Sequence, residues 1–250
     1  GIRDYKVTGV QTCALPILLQ PKNASARWFA LLGSTLTLWV GGGALLDFAQ
    51  HPGADFRLVE SHAWSAFFGA NFAFGVDGMA AAMLALSGLV TLIATIAAFG
   101  EERSPRAYHA LVLLLLAAMN TVFVTLDFLV FYVSWEVMLV PMLALIGVWG
   151  GEQRRYAALK FFVYTLAGSV MMLALLLLLW NATPKGATHT FDLRAMAQMW
   201  QTWRDAKFAG GSLAGFGFVA VLIACLVKVP AVPLHTWLPH AHVQAPTAVS

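Results

Sequence analysis

Along the chain, apolar residues come in long unbroken runs, and charged residues collect between the runs. Crossing a bilayer core takes about 20 residues of helix. Six runs meet that length, at about residues 28–48, 76–99, 107–126, 128–149, 161–180 and 213–238. Apolarity sustained over a whole run predicts helices, because membrane barrel strands alternate at every second position. The pattern therefore predicts an all-α, polytopic membrane helix bundle, with the start of a seventh helix after the sixth run. Residues 1–17 do not share the pattern. They lack a signal peptide's basic, apolar and small-residue order, and read as a non-native adapter or cloning segment ahead of a membrane domain at 18–250.

Composition sharpens this. Hydrophobic residues make up 60% of the 250 residues and charged ones only 11%, whereas about a quarter of a soluble domain is charged. A soluble core could not hide so much apolar surface. The net charge of +3 is spread over loops, so nucleic-acid binding is excluded; the hydrophobicity excludes disorder; and Cys13 and Cys225 form no disulfide framework or metal spacing.

Lys and Arg in short loops set the orientation. Lys22 and Arg27 precede the first run, Arg103 and Arg106 separate the second from the third, and Arg154, Arg155 and Lys160 separate the fourth from the fifth. These loops are assigned to the cytoplasm. The loop between the fifth and sixth runs breaks the rule with Lys185, Arg194, Arg204 and Lys207, yet alternation places it outside. Within that loop, residues 191–203 carry Leu193, Met196, Met199, Trp200 and Trp203 at helical spacing, which predicts an amphipathic helix on the membrane surface.

An ionisable group in mid-span costs about 2.5–3.5 kcal/mol on insertion scales, so each one needs a reason. Glu136 lies near the middle of the fourth run, about 18–20 Å from the cytoplasmic end at the helical rise. Lys228 lies well inside the sixth. One reading is a structural ion pair that fixes helix packing. The other is a proton relay: desolvation weakens a lysine's hold on its proton and a nearby carboxylate strengthens it, so changing their separation moves a proton. Lys160 and Tyr164, at the start of the fifth run, face a similar choice, with Lys160 also able to reach the interface. Asp77 sits at a span edge, where a helix N-cap is the simpler role.

After Lys228 come Pro230, Pro233, Pro239 and Pro246. Each removes a backbone donor, so the sixth run must break. Broken helices at bilayer depth are tolerated where they line a wet cavity, and in transporters they mark ion sites. His235, His240 and His242 lie in this break; His235 and His242 fit either hydrogen bonding at the break or proton carriage. Their spacing matches no metal-ligand set, so no metal is expected. No phosphate loop, dinucleotide fingerprint or cysteine cluster is present, so the chain is expected to hold no cofactor of its own and to leave redox chemistry to partners.

The segments Phe74-Gly75-Val76-Asp77-Gly78, Phe131-Tyr132-Val133-Ser134-Trp135-Glu136-Val137-Met138-Leu139-Val140-Pro141-Met142, Arg155-Tyr156-Ala157-Ala158-Leu159-Lys160-Phe161-Phe162, Lys228-Val229-Pro230, His235-Thr236-Trp237-Leu238-Pro239 and Ala245-Pro246-Thr247-Ala248 resemble the subunit M family of bacterial NADH:quinone oxidoreductase (respiratory complex I), the counterpart of mitochondrial NADH dehydrogenase chain 4. The likeness covers about residues 18–250, roughly the N-terminal half of such a subunit. It implies an antiporter-like fold of inverted five-helix repeats, each with a broken helix and a central lysine. On it, Glu136 and Lys228 form the central pair, and His235 and His242 lie on a polar axis. It further implies proton translocation in a multi-pass protein of the bacterial inner membrane, with the other membrane and peripheral subunits of the complex as partners. Two positions depart from the family pattern: His240 stands where an Asp is expected, and Val249 where a Gly is expected. Other readings fit the same residues: a subunit of a multisubunit sodium/proton antiporter or membrane-bound hydrogenase, a passive membrane scaffold, or a metalloenzyme built on the histidines.

Overall fold

Each apolar run becomes helix, and several helices begin on a polar side chain that accepts the first free backbone N–H groups. A computed structural model describes residues 23–250 apart from 52, 54–55, 66, 184–188 and 209. The expected non-native segment 1–17, Lys22 and Lys185 lie outside the described residues.

Helix α1 spans Asn23–Gln50, and a hairpin of β1 (Arg57–Ser65) and β2 (Ala70–Val76) follows. Then come α2 (Gly78–Ala97), α3 (Pro105–Val124), α4 (Phe128–Val137), α5 (Leu139–Trp149) and α6 (Arg154–Asn181). Two short helices, α7 (Leu193–Gln198) and α8 (Trp200–Asp205), lead through a small hairpin, β3 (Lys207–Phe208) and β4 (Gly211–Ser212), to α9 (Leu213–Lys228) and α10 (Leu238–Gln244). Among the described residues, five spans are long and apolar enough to cross a membrane: Ser25–Gln50, Gly78–Gly100, Pro105–Val124, Phe128–Trp149 and Arg154–Asn181. The shorter apolar helix Leu213–Lys228 joins them. Asp77 is the N-cap of α2, accepting from Ala80 N at 2.7 Å, and Ser212 caps α9.

The packing suits lipid. Large apolar side chains such as Leu32, Leu86, Ile93, Val163, Leu177 and Phe218 point outward, while Ser34, Thr37, Ser87, Thr91, Thr95, Thr165 and Ser169 are buried between helices. Small residues let helix backbones approach where lipid gives no hydrophobic drive between them. At Gly88 of α2 an added Cβ would lie 2.5 Å from the Leu38 nitrogen of α1. Nearby, Ser87 donates to Asn120 of α3 at 2.8 Å, tying the third helix in.

Hydrogen bonds gather the odd-numbered loops at one end of the bundle. Leu126 N donates to Ala73 O of β2, Phe128 N to Phe191 O, and Leu193 N to Leu126 O. The loop between the fifth and sixth runs therefore lies beside the hairpin, where alternation put it despite Arg194, Arg204 and Lys207. At the other end, Arg27 Nη2 donates to Glu101 O, Trp149 Nε1 to Arg103 O, and Gly151 N to Gln244 O.

Several expected boundaries move. Val76 ends a strand and α2 starts two residues later. The fifth run begins at Arg154 instead of 161, so Lys160 sits in the second turn of α6. The sixth run is helical only to Lys228. The amphipathic stretch 191–203 does not lie on the membrane surface as one helix. It folds as α7 and α8, with Phe191, Met196 and Trp203 buried against a protein core that includes Met172, Leu176 and Leu213.

Asp127, fully buried between two spans, organises the end of the bundle that holds the hairpin. Its carboxylate accepts from the backbone N–H groups of Leu129, Val130 and Asn71. Burial raises its carboxyl above the ordinary value of 3.8; the three N–H groups oppose this and the Asp192 charge adds to it. A carboxyl raised by folding contributes stability below 3.8 that is lost as pH rises through its raised value. Asp192, held low mainly by its hydrogen bond to Arg194, contributes with the opposite sign. In Asp127→Asn, which keeps a side-chain acceptor, the part of the stability lost between acid and neutral pH should disappear, as read by denaturation at stepped pH in detergent. Gly88→Ala should cost about 1–3 kcal/mol through overpacking, seen as a lowered melting temperature; an unchanged melting temperature would contradict the close α1–α2 contact.

Candidate functional site

One helix ends inside the bundle and another loses a bond there, and the expected central residues sit at these two places. Between α4 and α5 the hydrogen-bond ladder is interrupted, but Met138 keeps helical dihedrals and donates to Ser134 O, so Phe128–Trp149 remains one span. Pro141 supplies no N–H to the Val137 carbonyl, and its ring crowds that oxygen. Glu136 is the second-last residue of α4. Helix α9 stops at Lys228, and residues 229–237 run as turns before α10.

The end of α9 is closed bond by bond. Val229 N donates to Cys225 O at 2.8 Å and Ala231 N to Leu226 O at 2.9 Å. The buried Trp237 side chain then donates through Nε1 to Val227 O at 2.9 Å. Helix α6 backs this end: at Gly168 an added Cβ would lie 2.9 Å from the Val227 Cβ, so only glycine lets α9 come this close.

Lys228 meets Trp135, not Glu136. Its Nζ lies 3.5 Å from the Trp135 carbonyl oxygen and 4.5 Å from the centre of the indole. Among the described residues no ion pair joins Lys228 to Glu136. The expected structural ion pair is thus not formed, because the amine is held over the ring of the preceding residue. A cation over an indole gains about 0.5–2 kcal/mol without a counter-charge.

Three polar atoms near the breaks, Glu136 Oε1, His235 Nδ1 and Thr236 Oγ1, are buried without a protein partner. Lys228 and His242 line a common cavity of about 330 Å³ with Met138, Met142, Phe161 and Trp237. His242 is exposed, its Nδ1 2.7 Å from Ser250 Oγ. Lys160 stands apart from that cavity, its Nζ 3.3 Å from His240 Nδ1. The structure therefore places Lys228 and His242 on one cavity, pairs Lys160 with His240, and leaves His235 half-buried in the break with its Nδ1 covered. Among the described residues no three His, Cys, Asp or Glu side chains gather into a metal site.

Sequence reasoning missed Trp135 and Trp237. Both were legible only as aromatics next to the charged or proline-rich motifs, since a single indole in an apolar run carries no signal of its own. Trp237→Phe removes the donor to Val227 O and leaves a buried carbonyl unpaired, a loss of about 1–3 kcal/mol. Thermal unfolding of the purified variant should show it; a melting temperature equal to the parent's would mean the break does not depend on that bond.

Residues 125–250 match the family described as "NADH:quinone oxidoreductase/Mrp antiporter, TM". The F(420)H(2) dehydrogenase subunit M of Methanosarcina mazei is 37% identical over 227 residues, 90% of this chain and 45% of that protein. An NAD(P)H-quinone oxidoreductase chain 4 of Picosynechococcus sp. is 37% identical over 246 residues, 94% of this chain and 42% of that protein. The chain thus spans less than half the length of these relatives. Among solved structures, respiratory complex I from Thermus thermophilus with bound NADH matches with a TM-score of 0.76 at 28% identity, covering 96% of this chain and 46% of that one. The membrane-bound sulfane sulfur reductase, an archaeal respiratory membrane complex, shares the fold, with a TM-score of 0.73 at 19% identity over 99% of this chain and 37% of that one.

Proposed function

The chain belongs to the NADH:quinone oxidoreductase/Mrp antiporter membrane family, and from that premise we propose that it forms the proton-translocating part of a subunit of respiratory NADH:quinone oxidoreductase. The single observation that carries this reading is Lys228: an ammonium at the end of a helix that breaks inside the bundle, lining a cavity, with Glu136 on the neighbouring span just before its proline-weakened turn. The broken end of α9 and the missing bond at Pro141 give the two charges room to move against each other. A carboxylate that approaches an ammonium strengthens its hold on a proton, and one that recedes weakens it. Energy released in partner subunits that shifts α4 against α9 would load and unload Lys228. Trp135 holds the charged amine while Glu136 is away.

The buried, unpartnered atoms of Glu136, His235 and Thr236 support a hydrated path, since such groups pair with water in a membrane interior. His235 extends the path from Lys228 into the break, and His242 carries it along the cavity toward the chain's exposed face. Lys160 meets His240, on the same short helix as His242. The partners are the other membrane and peripheral subunits of the complex, and the location is the bacterial inner membrane. The relatives are named for both NAD(P)H and F(420)H(2), so the electron donor would be set by those partners.

Lys228→Ala in the assembled complex, in inverted membrane vesicles, should depress NADH-driven proton pumping by at least about tenfold while assembly persists, equivalent to about 1.4 kcal/mol or more. Glu136→Gln should act similarly, and Glu136→Asp should keep part of the rate. Normal pumping in Lys228→Ala would sink the relay, and a complex that pumps with no NADH oxidation would favour the antiporter relatives. A scaffold would tolerate apolar replacements of both residues.

A further inference from the structure

His240 has one ring nitrogen with two rival partners. Its Nδ1 lies 3.3 Å from the Lys160 Nζ on α6 and 3.1 Å from the carbonyl oxygen of Thr236, four residues back. An ammonium only donates, so the first contact needs a lone pair on Nδ1. A carbonyl only accepts, so the second needs a proton there. One nitrogen cannot serve both, and the proton decides which contact is made.

The surroundings make that choice consequential. The ring is exposed, and it borders a surface cavity of about 250 Å³ shared with Gln153, Tyr156 and Gln244. From α6 the titratable groups against it are Lys160 and Tyr156, whose ring meets the imidazole edge-on at 5.5 Å. From its own segment it meets the Thr236 carbonyl. Among the described residues no carboxylate forms an ion pair with Lys160 or His240. The imidazole is thus the proton acceptor in contact with Lys160, and it touches water.

We propose that His240 is a proton-exchange residue between water and Lys160, a role that rests on the proton-translocating reading above. The steps balance. The Lys160 ammonium gives a proton to Nδ1, leaving a neutral amine and an imidazolium. The new Nδ1–H turns to the Thr236 carbonyl, which breaks the contact to Lys160. The imidazolium then releases its Nε2 proton to water, leaving the neutral Nδ1–H tautomer. The reverse order loads Lys160 from water. Because the carbonyl belongs to the break and the lysine to α6, each transfer swings the exposed imidazole between them, while the buried cluster of Ala157, Ala158, Phe161, Trp237 and Ala241 keeps α10 packed on α6.

The test uses the full-length subunit in its assembled complex, with difference infrared spectra of histidine-labelled protein recorded between about pH 8 and about pH 5. A histidine band should shift reversibly in the parent and be absent from His240→Asn, whose amide oxygen accepts from Lys160 at every pH. Pumping should fall several-fold in His240→Asn and recover in His240→Asp, whose carboxyl can carry a proton. Identical spectra from both proteins, or parental pumping in His240→Asn, would overturn the proposal. If the parent complex itself does not pump, the translocation reading fails, while the histidine band still decides whether His240 takes up the proton.

Discussion

In a hydrocarbon interior a backbone N–H or C=O without a partner costs several kcal/mol, and the whole site depends on how the broken helices meet that constraint. Breaking α9 after Lys228 frees carbonyls that an intact helix would use. Val229 N still makes the last ordinary helical bond, to Cys225 O; Ala231 N reaches the Leu226 carbonyl that Pro230 leaves free, and the Trp237 indole takes that of Val227. Only with that end closed can a charged side chain sit at a helix terminus inside the bundle. The proline-rich segment is therefore a way to end a helix without exposing its backbone, and the lysine occupies the terminus so made.

The same constraint explains the interior. Hydroxyls of Ser34, Thr37, Thr95 and Thr165 donate to carbonyls of their own helices. They are polar in name and small in effect, which lets α1, α2 and α6 lie close to their neighbours. Genuinely polar contacts are few, and this gives the Glu136–Trp135–Lys228 constellation little competition. Glu136 and Lys228 need not touch to be coupled, because at low dielectric a charge is felt across several ångströms. Separation, and hence variable coupling, is built in from the start.

Much of the fold was legible in the sequence because length and apolarity alone define a span. The six runs, the long loop's place at the same end as the hairpin and the Asp77 cap all came from local rules. The β1–β2 hairpin was not legible: its buried residues Ala70, Ala73, Phe74 and Val76 are covered by helices distant in sequence, and its strands merge into ordinary loop composition. The stretch 191–203 read as membrane-bound for the same reason, since periodicity shows that a face is apolar without showing what covers it. At the site, Glu136 and Lys228 stood out because charge is rare in such runs. The indole between them did not, since its role exists only once α4 and α9 are side by side. Likewise the Lys160–His240 contact joins residues 80 positions apart.

The two ends of the bundle are tied differently. At the hairpin end the loops are joined backbone to backbone, through Leu126, Phe128 and Leu193, with Asp127 buried among them. At the opposite end two of the ties are long side chains, Arg27 to Glu101 and Trp149 to Arg103, beside the backbone bond from Gly151 to Gln244. A backbone tie fixes the spacing of two loops, whereas a long side chain keeps its bond through several rotamers. The hairpin end is thus the stiffer anchor, and α10 is secured at the other by the apolar cluster it shares with α6.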